Sequence, residues 1–208
     1  MPAQWKCRLV ALHFLANSST SRSMNMRHLL KLHPDSRAFA VTQIEVEVAH
    51  PSASRLVLSY TLTGNLHDVR MPPVTAPTRG EKLWRHTCFE AFLRAPDDAY
   101  YEFNFAPSTQ WAAYRFTGYR TGMSAATDIT APTIEGRSNP GRYTLQATLD
   151  LDRLPDLPRL GGCRLGLSAV IEDADGGMSY WALAHPRGKP DFHHADCFVH
   201  ELSPKVLS

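Results

Sequence analysis

Between Leu83 and Phe116 the chain reads LWRHTCFEAFL and then YYEFNFAPSTQWAAYRF, three runs of alternating residues separated by Ala95–Ala99 and by a turn at Pro107-Ser108. Successive side chains of a β-strand point to opposite faces, so residues two apart share a face. Tyr101, Phe103 and Phe105 therefore lie together, as do Ala112, Tyr114 and Phe116, and both sets are expected to face a core. Phe89, Ala91 and Leu93 form one side of the first run, with Trp84, His86, Cys88 and Glu90 on the other. The polar faces of the next two runs carry Glu102 and Asn104, then Trp111 and Arg115. With the three strands as neighbours, one sheet face would display two carboxylates, an amide, a guanidinium and two indoles. Such a surface suits a polar ligand with a flat apolar side.

The same period recurs along the chain. Ile44, Val46 and Val48 alternate with Gln43, Glu45 and Glu47, as in a half-buried strand. Leu56, Leu58, Tyr60 and Leu62 follow, ending at Gly64-Asn65. Tyr143, Leu145, Ala147 and Leu149 form another apolar face, and Leu165, Leu167, Ala169 and Ile171 a further one. Asp175-Gly176 reads as a hairpin turn into Ser179–Leu183, and a last strand is expected near Cys197–Leu202. The stretch from Phe116 to Arg142, rich in Gly, Ser, Thr and Pro, is either a functional loop or a pair of edge strands. Only Met24–Leu32 has the makings of a short helix. About nine strands with turn signals between them predict an all-β chain folded as an antiparallel β-sandwich. Residues 26–208 are read as one domain, and residues 1–25 as an unstructured extension.

Composition narrows the function classes. A formal net charge of +2 over 208 residues makes no case for nucleic acid, which wants a clustered basic surface. No run of about 18 apolar residues is present, so no membrane-spanning helix is expected. Cys7, Cys88, Cys163 and Cys197 show no C-x-x-C spacing, which argues against a zinc ribbon or a thioredoxin motif. Cys88 and Cys197 read as small buried hydrophobes, and a disulfide among the four is left open. Lys6 and Arg8 before Leu9–Ala16 superficially resemble a leader, but His13 interrupts the apolar run and no small-x-small site follows. Translation beginning at Met24 or Met26 is an alternative. The expectation is a cytoplasmic protein, or a secreted one if residues 1–23 act as a signal.

The polar face of the central strands is the leading candidate site. A sugar presents hydroxyls that need donors and acceptors and C–H faces that stack on rings. Glu90, Glu102, Asn104 and Arg115 would supply the first, with Trp84, Trp111 or Trp181 supplying the second. Trp111→Ala is then expected to remove binding with the fold intact. The plainer alternative is a cross-strand charge cluster on a solvated face. The loop His185–Asp196 gathers histidines and aspartates that could hold a divalent metal, yet its spacing fits no established ligand motif. It could instead close over one edge of the site, with Asp191 or His193 touching the ligand. No G-x-S-x-G, Walker or G-x-G-x-x-G pattern occurs. His86 beside Cys88 is better explained by packing than as a dyad. Glu90 and Glu102 remain in principle a glycosidase pair, and no catalytic residue is assigned.

Three blocks also resemble a known family: Leu83–Phe92, Tyr101–Ser108, and Ser179–Pro186 with Pro190-Asp191-Phe192-His193-His194. They are similar to bacterial stand-alone DOMON-like proteins, which are related to the type 9 carbohydrate-binding modules. The resemblance runs from about His28 to Leu202. It implies a β-sandwich of immunoglobulin-like or jelly-roll arrangement and ligand binding, to sugar in some relatives and haem in others. It makes Trp84, Glu90 and Asn104 counterparts of residues that hold a sugar. Haem-binding relatives use axial Met or His, for which Met123 and Met178 are available. The resulting expectation is a non-catalytic module that binds a small polar ligand, most simply carbohydrate, with no cofactor. The alternatives are a haem-binding redox module, or a metal-dependent enzyme using Glu90 with His86, His193 or His194.

Overall fold

The computed structural model describes residues 25–38, 40–157 and 162–202. The leader read in residues 1–23, Cys7 and all of the extension read in residues 1–25 except Asn25 lie outside the described residues. Thirteen β-strands are present among those that are described. Five make one antiparallel sheet: β1 (Met26–Leu29), β3 (Val41–Ser52), β4 (Arg55–Gly64), β10 (Arg142–Asp150) and β9 (Thr133–Asn139), in that order. The other eight form the second sheet. Its order is β2 (Lys31–Leu32), β12 (Met178–Ala182), β11 (Cys163–Glu172), β5 (Cys88–Arg94), β6 (Tyr100–Phe105), β7 (Trp111–Phe116) and β8 (Ser124–Ala125). The remaining strand, β13 (His200–Leu202), pairs with β11.

The sheets are held by the apolar faces that alternation marks. Ile44, Val46, Val48, Leu56, Leu58, Tyr60, Leu62, Leu145, Ala147 and Leu149 of the five-stranded sheet are buried. They share one cluster with Phe89, Ala91, Leu93, Tyr101, Phe103, Phe105, Leu165, Leu167, Ala169 and Ile171 of the other. This is the sandwich expected from the pattern. Tyr60 ties the layers together: its hydroxyl donates to the Glu90 carbonyl oxygen at 2.7 Å, and its ring lies 5.1 Å from that of Phe89. Buried hydroxyls need such a partner, because an unpaired one loses its hydration with nothing in return.

Some local expectations are corrected. Met26–Leu29 is a strand paired with β3, not part of a helix; a segment this short takes the conformation that its neighbour's open edge can bond. Cys197 sits in a 3₁₀ turn, Ala195–Cys197, rather than in a strand, and β13 starts at His200. The stretch after Phe116 supplies the two edge strands β8 and β9. Cys88, Cys163 and Cys197 are free and buried.

The larger correction concerns β7. Phe105 pairs with Trp111, Phe103 with Ala113 and Tyr101 with Arg115. Directly opposed residues in an antiparallel pair share a face, so Trp111, Ala113 and Arg115 point inward with the aromatic side of β6. Trp111 is 6% exposed and belongs to the inter-sheet core, with the Arg79 guanidinium 4.3 Å over its ring. Arg115 and the Tyr101 hydroxyl both bond to the Asp156 carboxylate. Ala112, Tyr114 and Phe116 therefore face outward. Trp181 also faces inward, opposite Ala169, with its Nε1 donating to Ser179 Oγ at 3.1 Å.

Candidate functional site

The outward face of the eight-stranded sheet is not left to solvent. Phe92, Tyr100, Phe116, Val170 and Ala182 rise from five adjacent strands and pack against Phe192 and Phe198 from the segment after β12. That segment lies close on the sheet: at Gly166 of β11 a Cβ would sit 3.2 Å from the Cys197 carbonyl oxygen. Between this layer and the sheet lies a cleft of about 640 Å³ lined by Trp84, Arg85, Glu90, Glu102, Phe116, Arg120, Met123, Val170, Met178, Tyr180, Pro190, Phe192 and His193.

Its floor comes from β5 and β6. Glu90 lies opposite Asn104, and Phe92 opposite Glu102, so the two glutamates are diagonal neighbours with Cα atoms about 7–8 Å apart. Both are nearly buried, at 2% and 6% exposure. Glu90 Oε2 accepts from Ser168 Oγ at 3.0 Å, and Glu102 Oε1 accepts from Asn104 Nδ2 at 2.8 Å. Asn104 itself is wholly covered; it orients Glu102, and its Oδ1 accepts a weak bond from Cys88 Sγ at 3.6 Å. Burial, followed by the charge of Glu102, pushes the Glu90 carboxyl up to about 8. Burial also raises Glu102, while the Asn104 bond and the Arg120 charge hold it down.

His193 closes one wall. Tyr100 Oη receives the Arg120 N–H at 3.2 Å and lies 2.9 Å from His193 Nδ1. The hydroxyl keeps its own proton to donate to Nδ1, and in that tautomer the ring proton is on Nε2, facing Glu102 Oε2 at 3.8 Å. Burial, followed by the Arg120 charge, lowers His193 to about 4. At neutral pH the ring is therefore uncharged, and its contact with Glu102 is a polar approach rather than an ion pair.

Trp84 and His86 do not belong to a strand. Leu83–Arg85 is a 3₁₀ turn leading into β5. The turn sets Trp84 over the cleft with its ring edge on Tyr114, 5.9 Å between centroids. His86 turns aside, its Nδ1 2.7 Å from Glu172 Oε2, and that carboxylate is also bonded by Arg70. Asp191 likewise leaves the cleft: Tyr119 donates to its Oδ2 and Arg120 to its Oδ1. Burial alone would raise Asp191, but those bonds outweigh it and hold the carboxyl below its ordinary value. The Thr117–Gly122 turn makes this grip. Gly122 has φ +62°, where a Cβ would meet Thr117 Oγ1 at 2.2 Å, so glycine is required there.

Of the residues singled out in the sequence, the cleft gathers Trp84, Glu90, Glu102 and His193, with Asn104 behind them. Trp111, Arg115 and Trp181 lie on the inner face, His86 faces Glu172, and Asp191 faces the Arg120 turn. Sequence reasoning did not reach Phe116, Arg120, Tyr180 or Phe192. The five residues Ala106–Gln110 joining β6 to β7 held the missing signal, since that length puts Trp111 opposite Phe105. The histidines of the last loop serve separate partners: His185 Nε2 donates to the Lys31 carbonyl at 2.7 Å, and His194 accepts from the Asp196 N–H. No grouping of three His, Cys, Asp or Glu side chains fit to hold a metal occurs among the described residues.

No family model matches the chain, and no curated protein matches it significantly. Among solved structures it is similar to a candidate carbohydrate-binding protein from Bacteroides uniformis, at 14% identity and a TM-score of 0.60 over 84% of each chain. It is also similar to a family 9 carbohydrate-binding module from Caldicellulosiruptor kristjanssonii solved with cellotriose. There the identity is 14% and the TM-score 0.46, over 79% of this chain and 75% of that one. At such identities the likeness to the Bacteroides protein is one of fold.

Proposed function

We propose that the outer cleft binds a carbohydrate, and that the chain acts as a binding module rather than an enzyme. The observation that carries this reading is the pairing of an aromatic wall, Trp84 with Tyr180 and Phe192, with a floor of buried, hydrogen-bonding carboxyl groups. Rings take the C–H face of a sugar, and Glu90 and Glu102 take its hydroxyls. The fold shared with a Bacteroides protein described as a candidate for carbohydrate binding supports the reading. So does the resemblance of the three sequence blocks to DOMON-like relatives of type 9 modules, the family to which we assign the chain. Catalysis fits less well. Both glutamates stand on one sheet floor, whereas a glycosidase needs carboxyls flanking the scissile bond.

Calorimetric titration and thermal shift against mono- and oligosaccharides test this. A sugar at about 100 times its dissociation constant adds roughly 2.7 kcal/mol, a rise of several degrees at about 2–4 °C per kcal/mol. Trp84→Ala is expected to weaken that sugar at least about tenfold, on the order of one ring stacked. If no sugar binds, the proposal fails.

A second reading has one observation behind it. Met123, Met178 and His193, soft donors of the kind haem iron takes, all line the cleft. The fit is poor, because a porphyrin plane over Glu90 and Glu102 would bury two carboxyls with no donor above them. A Soret band on adding haemin would favour this reading over the first.

A further inference from the structure

Two arginines and two glutamates line the cleft, but among the described residues no arginine or lysine is bonded to either glutamate. Glu90 and Glu102 form its floor, and each has one oxygen, Oε1 of Glu90 and Oε2 of Glu102, that accepts no hydrogen bond from any described residue. Both side chains are more than nine-tenths buried and both border the cleft. The Arg120 charge reaches Glu102 without a hydrogen bond to it. Arg120 is committed to Asp191, with its side chain 51% exposed. Arg85 is exposed on the rim. From the covering segment, His193 presents a neutral ring whose Nε2 stands 3.8 Å from Glu102, too far for a hydrogen bond. From the sheet itself come Ser168, Asn104, Cys88 and the Tyr100, Tyr114 and Tyr180 hydroxyls, none of them cationic.

Two carboxyl groups this close cannot both ionise cheaply in a low dielectric. In the free protein they are satisfied by keeping a proton. A neutral sugar would leave that arrangement as it is, offering hydroxyls that either donate or accept. A ligand bringing its own cation would do more. Its ammonium would donate to both idle oxygens and replace the retained proton. Its charge would also face the rings of Trp84, Phe116, Tyr180 and Phe192, which attract a desolvated cation.

Resting on the carbohydrate reading of this cleft, we infer that its preferred ligand class is an amino sugar with a free ammonium group, seated on Glu90 and Glu102. Three probes of one size separate the terms: glucose, glucosamine and N-acetylglucosamine. The last keeps the nitrogen but removes its charge and adds bulk.

Titration of the unaltered protein with all three at pH 7 is the experiment. Glucosamine is expected to bind at least about tenfold more tightly than either of the others, with net proton release seen as a dependence of the heat on buffer ionisation enthalpy. Glu102→Gln should reduce that preference to within about threefold. Glucose or N-acetylglucosamine binding as tightly as glucosamine would overturn the ammonium inference and leave the carbohydrate reading standing. Absence of binding by glucosamine, glucose and N-acetylglucosamine together with the wider saccharide panel would overturn both. The comparison among ligands is made on the unaltered chain, so it does not depend on the variant folding.

Discussion

The two faces of strands β5 and β6 are equally dry and chemically opposite. Inward lie Phe89, Ala91, Leu93, Tyr101, Phe103 and Phe105, packed against the second sheet. Outward lie Cys88, Glu90, Phe92, Tyr100, Glu102 and Asn104, all buried as well. An antiparallel sheet commonly leaves one face to water, and its polar residues then have no special meaning. Here the segment after β12 covers that face, so its carboxyls are held out of water at a cost. Burial of that kind without full pairing is unfavourable for the fold, which makes the outer face the part of the molecule organised for something other than stability.

The contrast can be broken most sharply at Trp111. On the inner face it should behave as core: Trp111→Ala is expected to destabilise by about 3–5 kcal/mol, lowering the melting temperature by some 6–20 °C at about 2–4 °C per kcal/mol. The folded fraction at low temperature should still bind ligand. Loss of binding without loss of stability, seen by paired melting and titration, would return Trp111 to the site.

A smaller effect is expected from pH, and its sign follows from the outer face. Glu90 has its carboxyl raised from 4.5 to about 8. The stability it contributes is therefore complete below about 4.5 and is lost as pH rises through about 8, with Glu102 acting in the same sense. His193, lowered from 6.5 to about 4, acts oppositely: stability is lost as pH falls from 6.5 towards 4. The two slopes oppose one another between about 4.5 and 6.5, so the Glu90 effect stands clear between pH 6.5 and 8. Stability should fall across that window in the parent chain by an amount on the order of 1–2 kcal/mol, read as a falling melting temperature. In Glu90→Gln it should stay flatter. An equal slope in both proteins would remove Glu90 from the account.

The smallest effect belongs to Arg115. Its side chain is 42% exposed where it bonds Asp156, so solvent screens the pair. Arg115→Ala should cost less than about 1 kcal/mol and leave ligand binding unchanged, as read by denaturant melts and titration. Weakened binding would place Arg115 nearer the cleft than its register allows.

How much of this was legible beforehand depends on the strand. Along β3, β4, β10 and β11 one parity is apolar and the other largely polar or small, so the inner face could be assigned from alternation alone. Along Trp111–Phe116 both parities are partly apolar. Trp111, Ala113 and Arg115 compete with Ala112, Tyr114 and Phe116, and the second set looks more like a core. Ala112 and Phe116 are buried and Tyr114 half-buried, but on the outer face and not between the sheets. Trp181 misled in the same manner, since Ser179 and Trp181 alternate with an equally aromatic Tyr180. Trp84 reached the cleft by a different route from the expected one, through a 3₁₀ turn rather than a strand.

By itself, then, the sequence determined the all-β class, the faces of the strongly alternating strands and the presence of Glu90, Glu102 and Asn104 on a common side. Those follow from the two-residue period, which is local. The β7 face, the return of residues 185–198 across the sheet, and the convergence of Trp84, Tyr180, Phe192 and His193 over the glutamates were decided only in the tertiary structure. Each depends on strand register or on which face a distant segment covers, and a one-residue change of register exchanges every inward side chain for an outward one.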